Sequence, residues 1–134
     1  MGYTSLVGEV RNNAMRAFLA ITKALSDETR VRALLALRDG ELCLCHLVGL
    51  LKLAPSTVSK HLDVLCQARL VERRKDGRWA YFRLADQNAP LAVRHALRWA
   101  VQTLAQDATL GRDAKRLAAL RCCDLKEVAA CYKN

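Results

Sequence analysis

The chain is poor in the residues and runs that mark several large protein classes. Only two prolines occur, Pro55 and Pro90. Both sit where a helix would start rather than in a linker. There is no internal repeat, low-complexity tract or Ser/Gly linker, which argues against tethered modules. No apolar run approaches the roughly 18 residues a membrane span needs. Met1 to Ser5 lack a basic segment followed by an apolar one, so no secretory leader is expected and the chain is placed in the cytoplasm. Neither a P-loop nor a Gly-rich dinucleotide turn is present. A cysteine nucleophile with an oxyanion loop wants an arginine six places on. Those places hold Gly49, Leu51, Glu72, Val128, Ala129 or nothing. Cys-x-x-Cys, the thiol-transferase pattern, is also missing, so catalysis is not expected.

What is present is charge and sulfur. The 134 residues include 22 Lys and Arg against 13 Asp and Glu, a net +9 with pI near 9.6. At 52% hydrophobic the chain can bury one modest core. So basic a small domain suits an anionic polymer. The six cysteines include two tight groups, Cys43 with Cys45, and Cys122, Cys123 and Cys131. In a reducing compartment, such clusters bind metals more often than they form structural disulfides.

Apolar periodicity organises the chain. Ala14, Phe18, Ile21 and Leu25 make one stripe, predicting a helix over 12–25. Ser26 can cap the next helix, with Asp27 and Glu28 at its positive end and Gly40 at its stop. Leu44, Leu47, Val48 and Leu51 follow on a short helix, then a turn at Lys52–Ala54. Pro55 opens a third helix with Val58, Leu62, Leu65 and Cys66 on one side. Residues 70–84 change to period two around Asp76-Gly77, a hairpin signal. From Pro90 a broad apolar face over 90–105 exceeds what a small core needs and hints at a partner helix. Gly111 is expected to break it before a cysteine-bearing helix or tail over 112–134. The pattern predicts one mainly α domain with a small β-hairpin, a winged helix-turn-helix. The helix-turn-helix spans 41–67, the wing spans 70–84, and the outer helices pair two copies.

On the third helix, Ser56, Ser59, Lys60, Asp63 and Gln67 lie opposite the apolar side, flanked by Thr57 and His61. Small hydroxyls near a helix start allow close approach to phosphates and base edges, and Lys60 can bond a guanine or a phosphate. The candidates for DNA contact are Ser56, Thr57, Ser59, Lys60 and His61. The hairpin gathers Arg73, Arg74, Lys75, Arg78 and Arg83 against Glu72 and Asp76. Alone, such a charge run is as readily a solvated surface. After a helix-turn-helix, Arg73, Arg74, Lys75 and Arg78 read as backbone contacts.

Four motifs now carry a resemblance. Leu25-Ser26-Asp27-Glu28-Thr29-Arg30, Glu41-Leu42-Cys43-Leu44-Cys45-His46-Leu47, Ser56-Thr57-Val58-Ser59-Lys60-His61-Leu62 and Gly77-Arg78-Trp79-Ala80-Tyr81-Phe82-Arg83-Leu84 occur in order. Over about residues 15–105 the chain resembles the arsenic-repressor (ArsR/SmtB) family. The resemblance implies a homodimeric transcriptional repressor that leaves double-stranded operator DNA when an inducer binds, with no membrane partner and no organic cofactor.

It also implies the inducer, As(III) or Sb(III), and two places to hold it. The arsenic-sensing branch resembles this chain at Cys43 and Cys45. It often has a third cysteine where this chain has Val48, and an acidic residue where this chain has His46. Trivalent arsenic and antimony favour three sulfurs in a pyramid. Two residues apart on a regular helix, side chains diverge by about 200°, so both thiols could grip one ion only if the helix start were distorted. Cys122, Cys123 and Cys131 resemble a second sensing arrangement of the same family, with three sulfurs outside the DNA-binding part. Soft thiolates select soft ions.

Other readings stay open. Low-pKa thiols near arginines such as Arg121 could oxidise, giving a redox-responsive repressor. His46 could join Cys43 and Cys45 in a zinc site. Zinc sensors of the family carry paired acidic and His ligands after the wing, whereas this segment offers Asp86 and His95 without a second His. Cys66, on the apolar stripe, reads as a small buried hydrophobe.

Overall fold

A computed structural model describes the backbone of residues 4–121 and the side chains of residues 13–121. Among the described residues, six α-helices and three strands follow in order: α1 (Thr4–Leu25), α2 (Glu28–Ala36), β1 (Leu42–Cys43), α3 (Leu44–Leu51), α4 (Pro55–Gln67), β2 (Val71–Asp76), β3 (Trp79–Leu84), α5 (Leu91–Thr103) and α6 (Ala108–Arg121). A single 3-10 turn, Leu37–Asp39, follows α2. None of the described helices is long and apolar enough to cross a membrane.

The core forms where the apolar stripes of α2, α3 and α4 meet. Leu34, Leu47, Leu50, Val58, Leu62, Leu65, Leu70 and Phe82 are buried there. Pro55 stands at the first turn of α4, where its missing N–H costs nothing. Lys52 ends α3 in the left-handed conformation, φ 55°. The sheet is antiparallel in the order β1-β3-β2. Phe82 is its inward anchor, with Ala80 and Leu84 packed on the same core. The expected mainly α winged helix-turn-helix is therefore what the chain forms, with a third strand that the sequence did not announce.

Local boundaries differ for physical reasons. Asp27, not Ser26, caps α2: its carboxylate accepts the Arg30 N–H at 3.0 Å. Ser26 instead donates to the Lys23 carbonyl at 2.8 Å and closes α1. A carboxylate at a helix start adds charge to the capping hydrogen bond, which a hydroxyl cannot. The hairpin pairs Asp76 with Trp79, so its loop is only Gly77-Arg78. Gly77 takes φ 62° at the first loop position, where a non-glycine residue would be strained. Gly111 does not break a helix. The break falls after Thr103, Asp107 accepts the Leu110 N–H at 3.0 Å, and Gly111 lies inside α6. Helix α1 starts at Thr4, ahead of the expected residue 12.

Candidate sensor site and nucleic-acid interface

Cys43 is not on a helix. It sits on β1 with extended backbone, φ −73° and ψ 151°, as the N-cap of α3, and Cys45 lies in that helix's first turn. The 200° divergence of a regular helix therefore does not apply, and the two thiols are hydrogen-bonded to each other without any distortion of α3. Both are buried, 2% and 1% exposed, and the rings of Trp79 and Tyr81 pack against them.

The pair shares its charge unevenly. The Cys45 S–H donates to Cys43, and the N–H groups of Cys45 and Leu44 also point at the Cys43 sulfur. These contacts outweigh burial and pull the Cys43 thiol from 9.0 down to about 7. The same hydrogen bond, burial and the neighbouring negative charge push Cys45 up. A thiol of lowered pKa, hydrogen-bonded to a second thiol, thus stands at the N-terminus of α3.

Among the described residues, no group of three or more His, Cys, Asp and Glu side chains could hold a metal ion. His46 therefore does not complete a zinc site with Cys43 and Cys45. Its Nδ1 is buried with no hydrogen-bond partner among the described residues, and burial, with the charge of Arg121, lowers the ring's pKa. Cys66 is half-buried against the core, and burial raises its pKa, as suits an inert thiol. Cys122, Cys123 and Cys131 lie outside the described residues.

The helix-turn-helix presents Ser56, Thr57 and Lys60 exposed and Ser59 half-buried on the outer side of α4. His61 is drawn inward. Its Nδ1 lies 3.4 Å from an Arg30 guanidinium nitrogen and 3.9 Å from the Asp27 carboxylate, which ties α4 to the start of α2.

The wing arginines divide into two groups, a division the sequence concealed. Arg74 forms a two-pronged ion pair with Glu41 at 2.6 and 2.8 Å, and its guanidinium lies over the Tyr81 ring. Arg83 is held by Glu72 at 2.7 Å and Asp86 at 3.8 Å. Arg73 reaches Asp63 at only 3.9 Å. Lys60, Lys75 and Arg78 are exposed and have no carboxylate partner among the described residues.

Sequence reasoning missed Trp79 and Tyr81 as the cover of the thiol pair and Glu41 as the partner of Arg74. Along β3, Trp79 and Tyr81 alternate with Ala80, Phe82 and Leu84, which pack on the main core. Only the pairing of β1 with β3, Leu42 to Phe82 and Cys43 to Tyr81, brings the cysteine beneath them.

Comparison with known proteins agrees with this geometry. Residues 27–73 match the family described as "Bacterial regulatory protein, arsR family". The chain is 39% identical over 99 residues to the arsenic resistance transcriptional regulator ArsR1 of Pseudomonas putida, covering 73% of this chain and 75% of that one. It is 35% identical to the cadmium resistance transcriptional regulatory protein CadC homolog of Staphylococcus aureus, covering 57% and 64%. Among solved structures it superposes on HlyU from Vibrio cholerae with a TM-score of 0.58 at 26% identity, covering 69% of this chain and 97% of that one. It has the fold of the homodimeric winged helix-turn-helix DNA-binding domain Mb0332 of Mycobacterium bovis, TM-score 0.59 at 24% identity, covering 73% and 86%. The chain belongs to the arsR family of bacterial transcriptional regulators, and it is a DNA-binding repressor rather than an enzyme.

Proposed function

We propose that this repressor works as a homodimer and leaves its operator when As(III) or Sb(III) is captured by its cysteine thiolates. The observation that carries this reading is the Cys43–Cys45 pair, two thiols hydrogen-bonded to each other at the junction of sheet and helix. A relative named for arsenic resistance supports the choice of ligand.

Two copies would pair through α1 and α5. These helices pack on each other, and they expose Met15, Phe18, Leu19, Leu91 and Trp99, between 54% and 66% each. Large apolar side chains left exposed on two neighbouring helices support an interface there. The dimeric state of the Mycobacterium bovis domain is consistent with that. In the dimer, two α4 helices would enter successive major grooves about 34–36 Å apart. Ser56, Thr57, Ser59 and Lys60 face the bases and phosphates, with His61 holding the helix. Lys75 and Arg78, and to a lesser degree Arg73 and Arg74, follow the backbone. Such contacts set affinity and its salt dependence more than sequence choice.

Two routes lead from the thiols to DNA. Cys45 is on α3, whose end at Lys52 turns directly into α4. Cys43 is the strand partner of Tyr81, which is the strand partner of Arg74 in the wing. An ion bound between β1 and α3 pulls on both reading elements at once. Release then requires only that the ion favour the DNA-incompetent arrangement by a few kcal/mol.

The test is operator binding with and without arsenite, for the wild type and Cys43→Ser/Cys45→Ser. The reading expects the variant to bind DNA yet ignore the ligand. Two thiols hydrogen-bonded to each other also favour a second trigger. Peroxide can join Cys43 and Cys45 in a disulfide, the two electrons and two protons passing to peroxide to give water. Release by peroxide and not by arsenite would select that trigger.

A further inference from the structure

Arg30 stands where three helices meet. It lies in the first turn of α2, and its guanidinium reaches both the end of α1 and the middle of α4. Nη2 donates to the Lys23 carbonyl at 2.8 Å and Nε to the Ala24 carbonyl at 3.2 Å. Both carbonyls belong to the last turn of α1, beyond the reach of that helix's own N–H groups. The remaining nitrogen, Nη1, faces Nδ1 of His61 on α4 at 3.4 Å. A guanidinium has donors and no acceptor. The His61 nitrogen that faces it must therefore offer a lone pair, not a proton. The Asp27 carboxylate, 3.9 Å from the same nitrogen, is too far to accept a hydrogen bond from it and already accepts the Arg30 backbone N–H at 3.0 Å. The ring's proton then sits on Nε2. Nε2 has no hydrogen-bond partner among the described residues, where the one buried side-chain nitrogen or oxygen left unpaired is Nδ1 of His46. The His61 Nε2–H is thus an unused donor open to solvent. Helical side chains lean toward the start of their helix, and residues four apart share a face. His61 leans toward Thr57, which is exposed.

We propose that Arg30 is a positioning residue for DNA recognition: it fixes the His61 ring with its proton on Nε2, so that α4 offers there a single donor to an acceptor on a base edge. This rests on the placement of α4 in the major groove given above. The acceptors of matching chemistry are purine N7, guanine O6 and thymine O4. Cytosine presents an N4 amino group instead, and donor would meet donor. With the proton on Nδ1, Nε2 would become an acceptor and the preference would reverse. The position of one proton therefore sets a base preference, and Arg30 sets that position from the protein side of the ring.

The first test needs no DNA. Long-range proton–nitrogen correlation spectra of the full chain show which ring nitrogen carries the proton, at about pH 8, above the usual imidazole pKa of about 6.5. The signal missing from His61→Phe identifies the residue. Wild-type protein should show His61 protonated on Nε2, and Arg30→Met should show a mixture of both forms. A proton on Nδ1 in the wild type, or an unchanged ring in Arg30→Met, overturns the proposal. The wild-type result stands whether or not Arg30→Met folds. The second test compares operators varied one base pair at a time. His61→Phe keeps a flat ring without the donor, and it should lose roughly tenfold discrimination at one base pair of each half-site. Equal weakening on every sequence would make the contact one to phosphate and overturn the proposal, as would no change at any position. Lys60→Ala measured alongside tells the two ideas apart. Weaker binding there, with His61→Phe unchanged, leaves α4 in the groove and removes the Arg30–His61 pair alone. Arsenite enters neither test, so metalloid sensing does not depend on the result.

Discussion

The guanidinium of Arg74 lies 4.4 Å from the centre of the Tyr81 ring, and Tyr81 is at the same time the strand partner of Cys43. Glu41, two residues before the cysteine, holds the guanidinium with two hydrogen bonds. Cys43, Tyr81 and Arg74 thus stand in one row across β1, β3 and β2, a direct line from thiol to wing.

That row makes Glu41 the residue whose charge couples the two. Glu41→Gln should leave arsenite affinity unchanged. It should free Arg74 for phosphate, tighten operator binding and reduce the ratio of affinities with and without arsenite. Anisotropy titrations of labelled operator measure both. An unchanged ratio would move the coupling to α4.

The thiol pair predicts a pH dependence of definite sign. In the fold Cys43 ionises near 7 instead of 9.0, so its contribution to stability is full above 9.0 and is lost as pH falls through about 7. Cys45, whose pKa is raised, works the other way and begins to cost stability only above 9.0. Thiolate ultraviolet absorbance should therefore show one group titrating near 7. Cys45→Ala, which removes the largest cause, should return that group toward 9.0.

On α4 and the wing, the unpaired cations should matter most. Lys60→Ala should weaken operator binding by about 1–3 kcal/mol if it reads a base, without changing arsenite affinity. Lys75→Ala and Arg78→Ala should each lower the salt slope of binding by about one. Arg83→Ala, already neutralised by Glu72 and Asp86, should change the slope least.

The exposed apolar face has its own consequence. Trp99 is 65% exposed in the single chain. Trp99→Glu should keep the helical spectrum, sediment as a monomer and bind operator poorly, because two half-sites no longer act together.

Phe82 is 2% exposed and is the sheet's anchor in the core. Phe82→Ala should cost about 3–5 kcal/mol of unfolding free energy, measurable by urea denaturation.

The helices, the hairpin and the polar side of α4 could be read from periodicity, because each is a local pattern. So could the presence of two thiol groups. What could not be read is contact across the chain. Leu42 and Cys43 look like the start of a helix, and only pairing with β3, some forty residues on, makes them a strand. The same pairing brings Trp79 and Tyr81 against the cysteines, and Glu41 into contact with Arg74. Counting wing arginines overstated the free positive charge, because Arg74 and Arg83 find carboxylates that sequence separation hides. Ser26 and Asp27 compete for one cap, and the charged acceptor wins. Gly111 suggested a break, yet the packing of Leu110 and Leu117 holds α6 together through it.

The most direct measurement titrates arsenite into wild-type protein bound to a labelled operator selected with the ligand-free protein. Full dissociation at about stoichiometric arsenite, absent in Cys43→Ser/Cys45→Ser, is the expected result. An operator complex that persists unchanged with arsenic saturating the thiols contradicts the account.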